Sequence, residues 1–120
     1  MGTRTIVGYK AFRIDERGRL RFLFHAHNGS SIVPLDKWIT TKRRWGREAK
    51  GKKYRVAFHF LRHEEDIAKF DRLTKGKYLI FPVKVKKVEP KPRTSVGSWL
   101  ATHLYVPQAE FERALNAKRT

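Results

Sequence analysis

Two alternating runs of apolar and polar residues, separated by a short turn, constrain the fold of this chain more than any other feature. Residues 4–14 alternate and are rich in β-branched and aromatic types, as strands are. Residues 19–27 alternate again, with Leu20 and Phe22 on one face. Residues 15–18 have the composition of a turn, in which a glycine takes the positive φ. The pattern predicts an antiparallel hairpin.

The rest of the chain continues with strands and adds two helices. Residues 54–60 and 77–88 are apolar or alternating runs that predict strands. Residues 62–75 have three acids, residues 64–66, in what would be the first turn and carry apolar residues at helical intervals, which predicts a helix. Residues 99–106 predict a last strand. Residues 107–115 begin with proline and carry a helical apolar stripe, which predicts a C-terminal helix.

A helical turn is expected over residues 35–40, where it would bring Trp38 and Ile39 to the core. The strands are joined mostly by short, hairpin-like connections, and the helices do not alternate with them regularly. This order predicts a single α+β domain over residues 1–120, with a twisted, mainly antiparallel sheet of about five strands and two short helices.

The composition narrows the function classes. The chain has 28 Lys and Arg against 11 Asp and Glu, a net charge of +17, and no cysteine. It therefore has no disulfide and no thiolate metal site, and we expect no cofactor. No stretch approaches the roughly 18 apolar residues of a membrane span, so a cytoplasmic protein without a membrane partner is expected. Such a positive charge instead favours a polyanionic partner.

The charge is densest between residues 42 and 55, where eight Lys or Arg face one Glu, a net +7. Residues 41–53 are predicted to form a basic loop that bears an aromatic ring. A charge run is commonly no more than a solvated surface, but here further basic clusters recur along the chain, which favours binding of DNA or RNA through phosphates and base stacking. The predicted contact residues are Lys42, Arg43, Arg44, Trp45, Arg47, Lys50, Lys52, Lys53 and Arg55, with Lys84 and Lys86 as a second strip.

Two other functions remain open. The basic surface could bind the carboxylates of an acidic host protein and inhibit a host enzyme. Alternatively, His25, His27 and His59 could serve a metal-independent endoribonuclease, which needs an acid, a base and cations on the phosphate. The chain resembles RelE-type toxins in size and charge, without a matching motif. We favour binding over catalysis, and we predict no metal site.

Residues 54–70 contain Phe58, His59 and Phe60 in a predicted strand followed by an acidic helix start, and residues 8–13 read GYKAFR. Both segments resemble small uncharacterised phage and prophage proteins, in which an aromatic-His-x-aromatic strand precedes an acidic helix start, and together they cover about a fifth of the chain. The resemblance implies a viral origin, with the host cytoplasm as the location. It implies no activity and no site residues.

Overall fold

A computed structural model describes residues 4–22, 32–40, 44–47, 53–56, 58–90 and 98–119. Antiparallel strands make up most of this part of the chain, and two helices complete it, so the fold class is α+β as predicted. The elements in chain order are β1 (Ile6–Ile14), β2 (Leu20–Phe22), β3 (Trp38–Thr40), β4 (Arg44–Arg47), β5 (Lys53–Val56), β6 (Phe58–Leu61), α1 (Glu64–Leu73), β7 (Leu79–Pro90), β8 (Ser98–Tyr105) and α2 (Gln108–Arg119).

The N-terminal hairpin predicted from the alternation is present. β1 pairs with β2 from Phe12↔Phe22 to Ile14↔Leu20. The turn between them contains Gly18 at a φ of +77°, a conformation that favours glycine. Asp15 stabilises the turn, because its carboxylate accepts hydrogen bonds from the backbone N–H groups two and four residues later. Residues 23–27 of the predicted second strand lie outside the described residues.

Four strands of the main sheet close into a small barrel. β1 pairs along one edge with β7 and contacts β6 on the other edge at Tyr9↔Leu61. β8 in turn pairs with both β6 and β7, which completes the ring β1–β7–β8–β6. β2 and β3 extend this ring from β1 and β8, respectively.

The core fills the inside of the barrel. Leu79, Phe81, Val83 and Val85 are buried at alternate positions of β7, while the residues between them are more exposed. This is the period of two that a strand imposes on a sheet with one apolar face. The inward positions change from odd to even at Lys87, which has a φ of +54°, so that Val88 also packs against the core. A left-handed residue inside a strand bends it and here re-aims the side chains that follow.

Both predicted helices are confirmed. α1 begins with three acids in its first turn and contacts β6, and Tyr9 donates a hydrogen bond to Glu64 over 3.2 Å. It ends in a Schellman motif: Gly76 donates its N–H to the Asp71 carbonyl, and Lys75 takes the left-handed position. α2 packs against the core through the predicted stripe of Phe111, Ala114 and Leu115. No helix in the described part of the chain is long and apolar enough to cross a membrane.

One predicted helical turn and one predicted continuous strand were wrong. Residues 35–40 do not form a helical turn: Trp38–Thr40 is strand β3, which pairs with β8. The strand predicted over residues 54–60 is two strands in different sheets, because β5 pairs with β4 whereas β6 joins the barrel. Both errors matter for the candidate site, since they concern the residues that present aromatic rings and basic charge.

Candidate nucleic-acid interface

Three neighbouring strands bring lysine, histidine and aromatic residues to one outer surface of the barrel. Tyr105 in the middle strand β8 lies opposite Trp38 of β3 on one side and Lys84 of β7 on the other. Two residues along the strands, His103 lies in the same way between Thr40 and Lys86. We call the surface formed by Trp38, Lys84, Lys86, His103 and Tyr105 the aromatic–lysine face.

The alternation along the three strands explains why these side chains point outward. Ile39, Val85 and Leu104 occupy the intervening positions, and all three belong to or pack against the core. Because successive side chains of a strand point to opposite faces, their neighbours must lie on the outer surface. The core therefore determines which residues form the aromatic–lysine face.

The rings and ammonium groups of this face are in mutual contact. The ring centroids of Trp38 and Tyr105 are 5.5 Å apart with an interplanar angle of 56°, a tilted arrangement typical of aromatic pairs. Lys86 Nζ lies 4.2 Å from the Trp38 ring centroid, and Lys84 Nζ lies 5.3 Å from that of Tyr105. Both distances lie within the range of cation–π attraction, which holds the two ammonium groups beside the rings.

In the part of the chain that the structure describes, no acid neutralises the lysines of this face. Within the described residues, neither Lys84 nor Lys86 forms a salt bridge. Burial lowers the pKa of His103, and the charges of Lys87 and Lys86 lower it further. His103 therefore tends to remain neutral beside the lysines, and its Nδ1 lies 2.9 Å from the Thr102 hydroxyl. The lysines remain available to an anionic ligand.

Asp36 anchors the strand that carries Trp38. Its backbone N–H donates to the carbonyl of Val106 over 2.9 Å, and its carboxylate accepts a hydrogen bond from the N–H of Gln108, the first residue of α2. An acid at a helix start satisfies a free N–H group and complements the helix dipole. This contact joins the segment before β3 to the end of β8, so the position of Trp38 depends on a residue far away in the sequence.

Within the densest basic segment, the described residues 44–47 and 53–56 form a two-stranded ribbon, so residues 44–47 are a strand where a loop was predicted over residues 41–53. β4 and β5 pair antiparallel from Arg44↔Val56 to Arg47↔Lys53, in a sheet separate from the barrel. The register places positions 45, 47, 53 and 55 on the same face of the ribbon. Of the other predicted contact residues in this segment, Lys42, Arg43, Lys50 and Lys52 lie outside the described residues.

The histidines proposed for a ribonuclease are only partly described. His59 lies in β6 opposite Leu100 and is half-buried, and its backbone carbonyl accepts a hydrogen bond from Lys10. His25 and His27 lie outside the described residues. The parts of the chain that the structure describes contain no group of three or more His, Asp or Glu side chains that could hold a metal ion.

Sequence reasoning identified part of the aromatic–lysine face. Lys84 and Lys86 were predicted as a second basic strip, and the structure places both on this surface. Trp38 was expected in the core but is 37% exposed, and Tyr105 and His103 were not singled out. The alternation of residues 102–106, with Leu104 and Val106 buried, is the signal that could have indicated the two outward positions.

The chain matches no protein-family model, and neither curated proteins nor solved structures contain a significant match.

Proposed function

We propose that this protein binds nucleic acid. The observation that carries the proposal is the aromatic–lysine face, where two lysines that form no salt bridge with any described acid lie beside a tryptophan and a tyrosine. Lysines attract phosphates, and aromatic rings can stack on bases, so the face combines the two groups that nucleic-acid surfaces use. The net charge of +17 adds long-range attraction for a polyanion.

The basic segment of residues 42–55 supplies additional phosphate contacts in this proposal. Its charge of +7, from eight basic residues and one acid, is more than the face itself offers. If about six to ten cationic groups contacted phosphates, affinity would fall by roughly three to five orders of magnitude between about 50 and 200 mM salt. This steep dependence separates phosphate binding from association through apolar surfaces.

Fluorescence anisotropy with labelled DNA and RNA over a salt series tests the proposal. We expect submicromolar binding at low salt, and the logarithm of the affinity should fall steeply and linearly with the logarithm of the salt concentration. Failure to bind any of these nucleic acids at about 100 mM salt would reject the proposal, since non-specific contacts alone reach dissociation constants of about 1–100 μM.

Paired lysine substitutions locate the contact. Lys84→Gln with Lys86→Gln should lower affinity about tenfold or more and reduce the salt slope by about 1.4 on single strands. Lys69→Gln with Lys77→Gln is the matched control, because both lysines are exposed, Lys69 on α1 and Lys77 beyond its end. The two variants carry the same net charge. An equal loss of affinity in both would mean that net charge alone drives binding.

Two further experiments address the competing functions. An acidic host protein would be recovered with the tagged chain from a nuclease-treated lysate, whereas a nucleic-acid complex would not survive that treatment. A ribonuclease would shorten the labelled RNA, and His25→Ala or His59→Ala would abolish cleavage without weakening binding. Binding of intact RNA without cleavage would support the binding function alone.

A further inference from the structure

We infer that the aromatic–lysine face selects single-stranded nucleic acid by stacking unpaired bases on Trp38, with Tyr105 supporting the indole from the side. This inference rests on the proposed nucleic-acid binding and specifies its substrate. Trp38 is 37% exposed, and its ring centroid lies 5.5 Å from that of Tyr105. More than a third of Trp38 is therefore accessible to a planar ligand, and Tyr105 contacts the indole from the side.

An exposed tryptophan at this position is not required by the core. Ile39 packs toward the barrel interior from the same strand, and Leu104 opposite it is fully buried. Inward packing thus leaves Trp38 on the outer surface. The alternative is a purely structural role, because an aromatic pair across two neighbouring strands contributes modestly to the stability of a sheet. The test below distinguishes this structural role from base stacking.

The spacing of the neighbouring lysines fits a nucleic-acid single strand that runs along β7. Lys84 and Lys86 are two residues apart on one face, which separates their Cα atoms by roughly 7 Å along the strand. Successive phosphates of an extended single strand are separated by a similar distance. Each ammonium group lies beside one of the two rings, so a base stacked on a ring has its phosphate near a lysine.

Duplexes cannot use the rings in this way. In a double helix the faces of the bases are already stacked on their neighbours, whereas an unpaired base exposes its face to an aromatic side chain. The phosphates attract the lysines in both forms. Preference for single strands must therefore come from the rings, which makes it separable from charge by experiment.

The decisive probe is a labelled single strand of about 12 thymidines, compared with an abasic strand of equal phosphate number. The charge is the same, and only the bases differ. We expect the wild-type protein to bind the thymidine strand about tenfold or more tightly than the abasic strand. Trp38→Ala should remove this preference, and Trp38→Phe should retain most of it.

Leu73→Ala on α1 is the control for loss of an exposed apolar side chain, since Leu73 is 63% exposed, and it should leave the preference unchanged. Equal binding of both strands by the wild type would overturn the stacking inference while leaving nucleic-acid binding intact. Failure to bind either strand would reject both. Because the first comparison uses only the wild type, it does not depend on how well a Trp38 variant folds.

Discussion

Two regions of this protein carry positive charge in different ways. The positive charge of residues 42–55 comes from basic residues that are close together in the sequence, so this segment would attract phosphates even without a fold. The aromatic–lysine face gathers residues from positions 38 to 105, and it exists only because β3, β8 and β7 pair in one register. The comparison indicates that a run of basic residues in the sequence is enough to attract phosphates. Selectivity for one form of nucleic acid requires the fold to place aromatic rings beside the charges.

The largest expected effect comes from preventing closure of the barrel. A Cβ at Gly8 would lie 2.4 Å from Cδ2 of Phe60, a buried ring on the facing strand, so this position has no room for a side chain. Gly8→Val should therefore lower the free energy of unfolding by about 3 kcal/mol, measured by denaturant titration. Ala68→Val, on the exposed surface of α1, is the control and should have a small effect.

The same Gly8→Val variant separates the two regions. If the variant unfolds, salt-dependent attraction to phosphates should persist, because it follows from charge, whereas the preference for thymidine over abasic strands should disappear. Retention of that preference in an unfolded chain would show that the assembled face is not its source.

A buried lysine provides the second prediction. Lys10 is 6% exposed, and its Nζ donates to the carbonyl of His59 and lies within 6 Å of the ring centroids of Phe12 and Phe22. Burial lowers its pKa from 10.5 to about 7. The unfolded chain therefore binds more protons between about pH 7 and 10.5, and this group's contribution to stability rises with pH across that window.

Lys10→Met should accordingly stabilise the protein at pH 7, where the wild type still bears most of the cost of the buried charge. The advantage should shrink toward pH 10 by up to about 1.4 kcal/mol per pH unit, as measured by denaturant unfolding of both proteins. Affinity for single strands should be unchanged, because Lys10 lies inside the barrel. The Lys84 and Lys86 substitutions, in contrast, are expected to lower affinity. A stability difference independent of pH would contradict the prediction.

The smallest effect on stability is expected from substitutions in the basic segment. Arg43→Ala with Arg44→Ala removes two charges, so on single strands the salt slope should fall by about 1.4 and affinity should decrease. The thermal midpoint should remain nearly unchanged, and the preference for thymidine over abasic strands should be retained. A loss of stability comparable to that of a core truncation such as Phe60→Ala would show that these arginines have a structural role instead.

Local patterns predicted much of the fold. The first hairpin, α1, β7, β8 and α2 each contain enough residues for their hydrophobic period to be recognised, and all five are present. β3 has three residues, too few to show a period, and its pairing partner lies more than 60 residues away. Half of the residues in the β4–β5 ribbon are Lys or Arg, and the ribbon has no regular apolar alternation that could have indicated its pairing.

The candidate site was harder to predict than the fold. Lys84 and Lys86 were recognisable because they alternate with buried valines in one strand. The partnership of Trp38 with Tyr105 depends on strand register and on the contact between Asp36 and the start of α2, which no local pattern encodes. The basic residues could thus be predicted by type and spacing, whereas the aromatic residues required the tertiary structure.

A titration of the isotopically labelled protein with a short single-stranded oligonucleotide, followed by NMR, tests most directly whether the aromatic–lysine face binds nucleic acid. We predict chemical-shift changes at the backbone amides of β3, of the C-terminal half of β8 and of Lys84 and Lys86, together with the indole N–H of Trp38. Shift changes confined to α1 and α2, or to residues 42–55, would contradict the account.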